Sequence, residues 1–361
     1  MGGLSWFLAF AGFAVLIILH ELGHFAVAKW VGMRVERFSL FFPPLIFKKQ
    51  VGETEYAVGS IPLGGYVKIT GMNPHEELDP AVAHRAYYRQ PVWKRIAVIS
   101  AGPAVNIVIA FVLITGVILS TGEPRDDVFQ VGTVERNFPA EGQLAPGDRI
   151  LRVDGITGTQ LKLRDQIASH KCAGKPTARC EATDPAALVV SRAGREVPIE
   201  VKPIYDPQVK RTRLGFTFEP VRQDVSVFRA SELAGSEMWR FTSATVTTLA
   251  QIVDPEKRKE ISGVVGSYEV TRQAVQIDVT TAIYILAVIS LSLGVINLFP
   301  FLPLDGGHIF WALAEKIRGK AIPFSVMEKA GFVGFVLVIM LFAVGLTNDI
   351  GRLTGEGFNL R

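Results

Sequence analysis

Four long apolar stretches constrain the fold of this chain more than any other feature. They lie at about residues 4–31, 96–121, 279–302 and 324–346, and each reaches or approaches the roughly 20 apolar residues that a bilayer-spanning helix needs. The mean hydropathy of +0.30 comes from these runs rather than from an even spread. We therefore predict a polytopic α-helical membrane protein with about four transmembrane helices, in contact with the lipid bilayer.

The charge of the chain favours a membrane location over a nucleic-acid partner. The 38 Lys and Arg residues against 34 Asp and Glu residues give a net charge of only +4, which suits anionic lipid but falls short of a nucleic-acid footprint. Basic residues concentrate in the short loops between the first two and the last two stretches. Because such loops stay cytoplasmic, we predict a multi-pass protein with both termini and the long middle region outside the cytoplasm. In a bacterium this is a protein of the inner membrane, with those parts in the periplasm. The basic residues of these loops are Arg34, Arg37, Lys48, Lys49, Lys68, Arg85, Arg89, Lys94, Arg95, Lys316, Arg318 and Lys320.

The pattern between the spans predicts how the rest of the chain is organised. Residues 1–121 form the first half of a membrane core, with a membrane-associated cytoplasmic β-hairpin at about residues 51–71. Alternating strand and helix signals predict a small α/β domain over residues 122–205. Residues 206–278 are expected to be a periplasmic linker in which residues 231–253 form an amphipathic helix on the membrane or, equally, a core-facing helix of the outer domain. Residues 279–361 form the second half of the core.

Two cysteines occur, Cys172 and Cys180, both in the middle region. They are too few for a disulfide-built scaffold or a zinc site of their own. In an oxidising compartment they close a small loop, and in the alternative interpretation they remain free thiols.

The sequence HELGH at residues 20–24 lies inside the first apolar stretch. Residues four apart share a helix face, so His20 and His24 can hold one Zn²⁺ while Glu21 reaches a water beside it. Ionisable side chains inside a membrane are costly unless they bind something. We therefore predict a zinc site here, the alternative being a polar patch for helix packing.

A zinc site of this type needs a third protein ligand, and Asp305 is the carboxylate that another apolar stretch offers. It follows two prolines and precedes two glycines, and such broken backbone at membrane depth is tolerated where it lines a cavity. The alternative is that Asp305 only caps the next helix. His308 is a weaker ligand candidate. Asn297 offers an amide to substrate or oxyanion, or else to a neighbouring helix.

These residue types predict hydrolysis of a peptide bond. Zinc acidifies a water and polarises a carbonyl, while Glu21 takes the proton and passes it to the leaving amine. A helical substrate must unwind first, since its own hydrogen bonds shield its peptide bonds. The hairpin near Gly64, Gly65 and Tyr66 is expected to hold the opened segment by strand addition.

With these residues identified, the chain closely resembles the site-2 protease family of intramembrane zinc metalloproteases, in particular the bacterial regulator-of-sigma-E protease branch. Four motifs match in order: HELGH at 20–24, IPLGGYVKITG at 61–71, RQPVWKRIAVISAGPAVN at 89–106 and SLGVINLFPFLPLDGG at 292–307. The resemblance implies zinc ligation by His20, His24 and Asp305, and acid/base catalysis by Glu21. It further implies that Asn297 and residues 64–68 position substrate, and that Gly102, Pro103 and Asn106 belong to the packed core of the second span.

The middle region resembles a PDZ domain through Pro139-Ala140 and LAPGDRILRVDG at residues 144–155. The resemblance implies a groove that binds extended peptide and a substrate that is a single-span membrane protein, either an anti-sigma factor or a signal-peptide remnant. Only one such domain is predicted, where the branch typically has two. The rival hypothesis is a catalytically silent, PDZ-bearing membrane scaffold or adaptor. A metal transporter would need more polar residues along its spans.

Overall fold

The structure is a computed structural model that describes residues 2–73, 76–252 and 254–355. The chain divides into two compact units. The membrane unit comprises Met1–Val117 and Phe228–Arg361, and the inserted unit comprises Ile118–Val227. The inserted unit thus interrupts the membrane unit once, as the sequence predicts for its middle region.

Four of the described helices are long and apolar enough to cross a membrane, as predicted. They are the first, second, seventh and ninth in chain order. The third spanning helix ends at Asn297 instead of residue 302, since Pro300 and Pro303 cannot continue a helix. The described helices are α1 (Gly2–Trp30), α2 (Val92–Thr121), α3 (Gln160–Ser169), α4 (Val227–Ala250), α5 (Pro255–Glu260), α6 (Val264–Ile277), α7 (Val279–Asn297), α8 (Asp305–Arg318) and α9 (Phe324–Thr354).

The loop between the first two spanning helices forms an antiparallel sheet from β1 (Val35–Val51) and β2 (Thr54–Ile69). The hairpin begins at Val35, so the prediction of about 51–71 was wrong at its start. Each strand folds back, so that one segment of it has neighbours on both sides. Tyr56 of β2, for example, lies opposite both Phe38 and Lys49 of β1. The chain turns at Gly52, which has a φ of +61°, and the Pro and Gly-Gly residues predicted as the turn lie inside β2.

The inserted unit is built on a five-stranded antiparallel sheet with α3 packed against it. Its core includes Val131, Val153, Leu163 and Leu188. The described strands of this unit are β3 (Glu123–Val134), β4 (Arg149–Val153), β5 (Ala186–Arg192), β6 (Arg195–Val201), β7 (Ile204–Asp206), β8 (Arg211–Arg213) and β9 (Phe216–Gln223). Helix α3 and strands β3 to β6 lie within the predicted α/β domain, whereas β8 and β9 lie beyond its predicted end.

The predicted boundary of this domain at residue 205 was wrong. The sheet order is β6-β5-β4-β3-β9, so β9 completes the sheet by pairing with β3. The predicted linker over residues 206–278 therefore begins inside the domain, and its later part contains α4, α5 and α6. The helix α4 agrees with the amphipathic helix predicted at 231–253. The strand β9 pairs with a strand about 90 residues earlier in the chain. The sequence around β9 therefore does not indicate which strand it pairs with.

The buried carboxylate of Asp148 stabilises the loop before β4. It accepts a hydrogen bond from the amide of Ala145 at 2.8 Å and pairs with Arg192 of β5, whose Nε lies 2.8 Å from Oδ1. The Arg192 guanidinium holds the pKa of Asp148 below its usual value. Elsewhere in the unit, Cys172 and Cys180 are joined by a disulfide, which selects the first of the two alternatives left open by the sequence.

Candidate metal centre

Two histidines of α1 and one aspartate of α8 meet inside the membrane unit. The Nε2 atoms of His20 and His24 are 3.3 Å apart, and each lies 3.3 Å from Oδ2 of Asp305. Both histidines are buried, each only 7% exposed. The three atoms therefore form an equilateral triangle, although Asp305 follows the two histidines by 281 or more residues along the chain.

This triangle fits a tetrahedral zinc ion. Zinc bonds of about 2.0–2.1 Å at tetrahedral angles place ligand atoms about 3.3 Å from one another. Oδ2 of Asp305 is buried and accepts no hydrogen bond within the described residues. The Nδ1 of His24 lies 2.9 Å from the carbonyl of Val98, which orients the ring and directs the Nε2 lone pair at the centre of the triangle. A carboxylate and two imidazoles so placed form a cation site by donor chemistry.

Asp305 is positioned by the break between α7 and α8. It is the first residue of α8, so its backbone begins the helix while its side chain points at the histidines. A buried ion pair holds this helix against α2: Arg95 donates two hydrogen bonds to Glu315, at 2.9 and 2.6 Å. This bidentate pair fixes α8 relative to the helix that contacts His24.

Glu21 lies beside the triangle and faces β2. A Cβ at Gly65 would come within 2.8 Å of Cγ of Glu21 and 3.0 Å of the carbonyl of Ser39. Glycine at position 65 therefore lets the backbone of β2 approach the glutamate directly. Glu21, His20 and His24 line the same cavity.

This cavity has a volume of about 910 Å³. It brings together every site residue that the sequence predicts, since Asn297 at the end of α7 and residues 64–66 of β2 form parts of its wall. His308 also lines it, but its ring does not join the cluster of potential ligand atoms. On the hairpin, residues 65–69 pair on one side with residues 35–40, and no other described strand pairs with them. They form an edge of the sheet at the cavity.

The helix α6, which the sequence analysis placed in a linker, supplies another part of the wall. Its residues Val264, Val265 and Tyr268 line the cavity. The buried carboxylate of Asp349 in α9 caps the start of this helix by accepting hydrogen bonds from the amides of Gly263 at 3.0 Å and Gly266 at 2.7 Å. Asp349 lies 86 residues after Gly263, so no local sequence pattern indicates this contact.

Comparison with known proteins identifies the kind of molecule to which this site belongs. The sequence pattern that defines peptidase family M50 matches residues 8–341. The chain belongs to peptidase family M50. The family membership confirms the resemblance inferred from the four motifs, and it shows this M50 peptidase to be a zinc metalloendopeptidase with membrane-spanning helices.

Relatives of this M50 peptidase match over nearly their whole length. The zinc metalloprotease Rip1 of Mycobacterium tuberculosis is 32% identical, with 93% of this chain and 94% of the relative covered. A candidate zinc metalloprotease of Nostoc is 31% identical, with 96% of each chain covered. Another, from Campylobacter jejuni, is 28% identical, with 94% of this chain and 92% of the relative covered. These names agree with zinc as the cofactor.

Sequence reasoning missed the residues that support the triangle. Val98 and Gly102 lie in α2 and contact His24, while the Arg95–Glu315 pair joins positions 220 residues apart. The resemblance placed Gly102 in the packed core of the second span without saying what it packs against. A Cβ at Gly102 would stand 2.3 Å from Nε2 of His24, so only glycine leaves room for that ring.

We expect Gly102→Ala to reduce zinc affinity by about 10-fold or more, because the added methyl displaces the ring of His24. The measurement is zinc content per chain after dialysis against graded chelator. Gly116→Ala is the matched control, since it lies in the same helix and a Cβ there meets nothing within 4 Å. Equal zinc retention by the two variants would contradict the predicted crowding of His24.

Proposed function

We propose that this M50 peptidase is an intramembrane endopeptidase that hydrolyses a peptide bond in or near a transmembrane segment of a membrane protein. The observation that carries the proposal is the triangle of His20, His24 and Asp305 inside a cavity of the membrane unit. Ionisable groups buried in a membrane mark a functional site, and two imidazoles with a carboxylate are the donors that zinc binds. A cavity of about 910 Å³ has room for an extended peptide segment and water.

In this proposal His20, His24 and Asp305 hold the zinc ion. Bound zinc would polarise the scissile carbonyl and acidify the attacking water. Glu21, adjacent to His20, accepts the proton of that water and delivers it to the leaving amine. Asn297 donates its side-chain amide to the substrate backbone or to the developing oxyanion.

The substrate is held in extended form by the edge of the hairpin. Residues 65–69 offer an edge without a further described partner strand, and the cavity wall continues from them to Glu21. A substrate segment that pairs with this edge exchanges its helical hydrogen bonds for strand hydrogen bonds. Its peptide bonds are thereby exposed to the catalytic groups.

The inserted unit serves as a PDZ-like peptide-binding domain that filters substrates. Its support is a groove of about 400 Å³ between α3 and the first residues of β9, the last strand of the sheet. Together with the resemblance, this groove favours a single-span membrane protein as substrate, of the anti-sigma-factor type or a signal-peptide remnant. The reaction then belongs to regulated intramembrane proteolysis or to peptide clearance.

The orientation that we propose places the hairpin and the active site toward the cytoplasm, and the inserted unit and both termini in the periplasm. The support is the number of basic residues in the hairpin loop and in the loop after α8.

Single-cysteine labelling tests this orientation at two exposed lysines. In intact bacterial cells made permeable only at the outer membrane, an impermeant maleimide should label Lys202→Cys of the inserted unit and spare Lys49→Cys of the hairpin. Permeabilising the inner membrane should then expose Lys49→Cys. Labelling in the reverse order would contradict the orientation.

Substitutions at Glu21, Asp305 and His308 distinguish loss of catalysis from loss of metal binding, and they test the scaffold hypothesis. We expect Glu21→Gln to keep one zinc per chain and to lose cleavage of a single-span substrate by at least about 100-fold, because proton transfer is lost. Asp305→Ala should bind zinc more weakly, since one of three ligands is missing, and should lose cleavage. His308→Ala, which removes a residue of the same cavity wall, should keep zinc. Zinc content and cleavage in proteoliposomes measure these effects.

Unchanged cleavage in Glu21→Gln would overturn the catalytic assignment. If deletion of the inserted unit then abolished the cellular phenotype, the scaffold would be the better account. Zinc retained at full affinity by Asp305→Ala would exclude Asp305 as the third ligand.

A further inference from the structure

The groove of the inserted unit is lined by more arginine side chains than its carboxylates neutralise. It is lined on one side by Gln160, Arg164 and Ile167 of α3, and on the other by residues 211–218 together with Glu135. Three arginines and one glutamate therefore face the same space of about 400 Å³.

One of these arginines is fully paired. Arg213 donates from Nη2 to Glu135 at 2.8 Å and from Nε to Asp206 at 2.6 Å. These carboxylates therefore neutralise the charge of Arg213 but not the charges of the other two arginines.

Arg164 and Arg211 have no comparable partner. The closest carboxylate oxygen to Arg164 belongs to the adjacent and largely exposed Asp165, at 3.7 Å, and the buried Nε of Arg164 makes no hydrogen bond within the described chain. No ion pair involves Arg211 in the part of the chain that the structure describes. Burial and the nearby charge of Arg164 lower the pKa of Arg211. The two guanidinium groups thus repel each other across a groove that is partly shielded from water.

A carboxylate between them would remove this repulsion. Guanidinium groups bind carboxylates through paired, charge-assisted hydrogen bonds, and a buried Nε–H without an acceptor supplies one of the donors. The strand β9 begins at the same groove and pairs only with β3 among the described strands. An extended peptide added along this edge would direct alternate side chains toward α3.

We propose that Arg164 and Arg211 form a specificity site that binds a carboxylate of a peptide segment docked along β9, so that the inserted unit selects acidic segments. This inference rests on the proposed peptide-binding role of the unit and adds the chemistry of its ligand. The carboxylate is an Asp or Glu side chain within the docked segment, and a carboxylate at the chain end is the alternative that the experiment distinguishes.

The experiment uses the full-length protein in nanodiscs and fluorescence anisotropy. The probes are labelled Val- and Thr-rich decapeptides in which a single Glu occupies each position in turn, with matched Gln peptides, each made with a free and an amidated C-terminus. We expect at least one Glu peptide, with an amidated as well as a free C-terminus, to bind about 10-fold more tightly than its Gln match, with a preference that weakens as salt is raised.

Arginine variants assign the preference to the two residues. Arg164→Gln and Arg211→Gln should each remove it while leaving the weaker binding of uncharged peptides unchanged, which also shows that the variants fold. Arg152→Gln is the control, because Arg152 pairs with Glu196 on the sheet and does not line the groove. Hydrogen exchange of the free protein should show protection of the inserted unit unchanged or increased in both groove variants, since a repulsion is removed.

The outcomes separate the inference from the proposed function on which it rests. Binding of charged and uncharged peptides with equal affinity would overturn the specificity site and leave peptide binding in place. A preference that survives both substitutions, or a loss of protection in both, would also overturn it. If none of the peptides bound, the peptide-binding role and the specificity site would fall together. A preference that is lost on Glu→Gln exchange supports the specificity site, and one that is lost only on amidation would overturn it, because the carboxylate would then be that of the chain end.

Discussion

The energetic cost of burying a carboxylate and two imidazoles at membrane depth is the constraint on which the rest of this structure depends. Such groups are costly there unless they pair with one another or bind a cation. The 3.3 Å separations of His20, His24 and Asp305 meet that condition, because they equal the spacing of ligands around a tetrahedral zinc ion. These three residues bring together the two halves of the membrane unit, which the inserted unit separates in sequence.

The surrounding structure fixes the positions of His20, His24 and Asp305 and leaves them accessible from a cavity. The Val98 carbonyl and the missing side chain at Gly102 orient His24, and the Arg95–Glu315 pair fixes the helix that carries Asp305. The broken backbone between α7 and α8 opens a cavity instead of a closed helix bundle. Peptide hydrolysis requires water and an unwound substrate, and both need that space. In the proposed function, the arrangement that positions the candidate metal ligands therefore also admits the reactants.

The sequence predicted the features that depend on local pattern. HELGH within an apolar stretch and the carboxylate of Asp305 beside a helix break were sufficient to assign the candidate ligands, because ionisable groups at membrane depth are costly unless they bind something. Features that depend on distant pairing were missed or misplaced. Nothing near β9 shows that it pairs with β3, and the turn of the hairpin lies at Gly52 although Pro62 and Gly64 carry the stronger local turn signal.

The central claim is that one zinc ion is held by two histidines and one aspartate from opposite halves of the chain. Zinc K-edge X-ray absorption of the purified full-length protein tests it most directly. The claim predicts only nitrogen and oxygen donors at about 2.0–2.1 Å, with the scattering pattern of two imidazoles and with one oxygen donor lost or replaced in Asp305→Ala. A sulfur shell at about 2.3 Å, which could come only from a cysteine or methionine, or a spectrum unchanged in Asp305→Ala would contradict it.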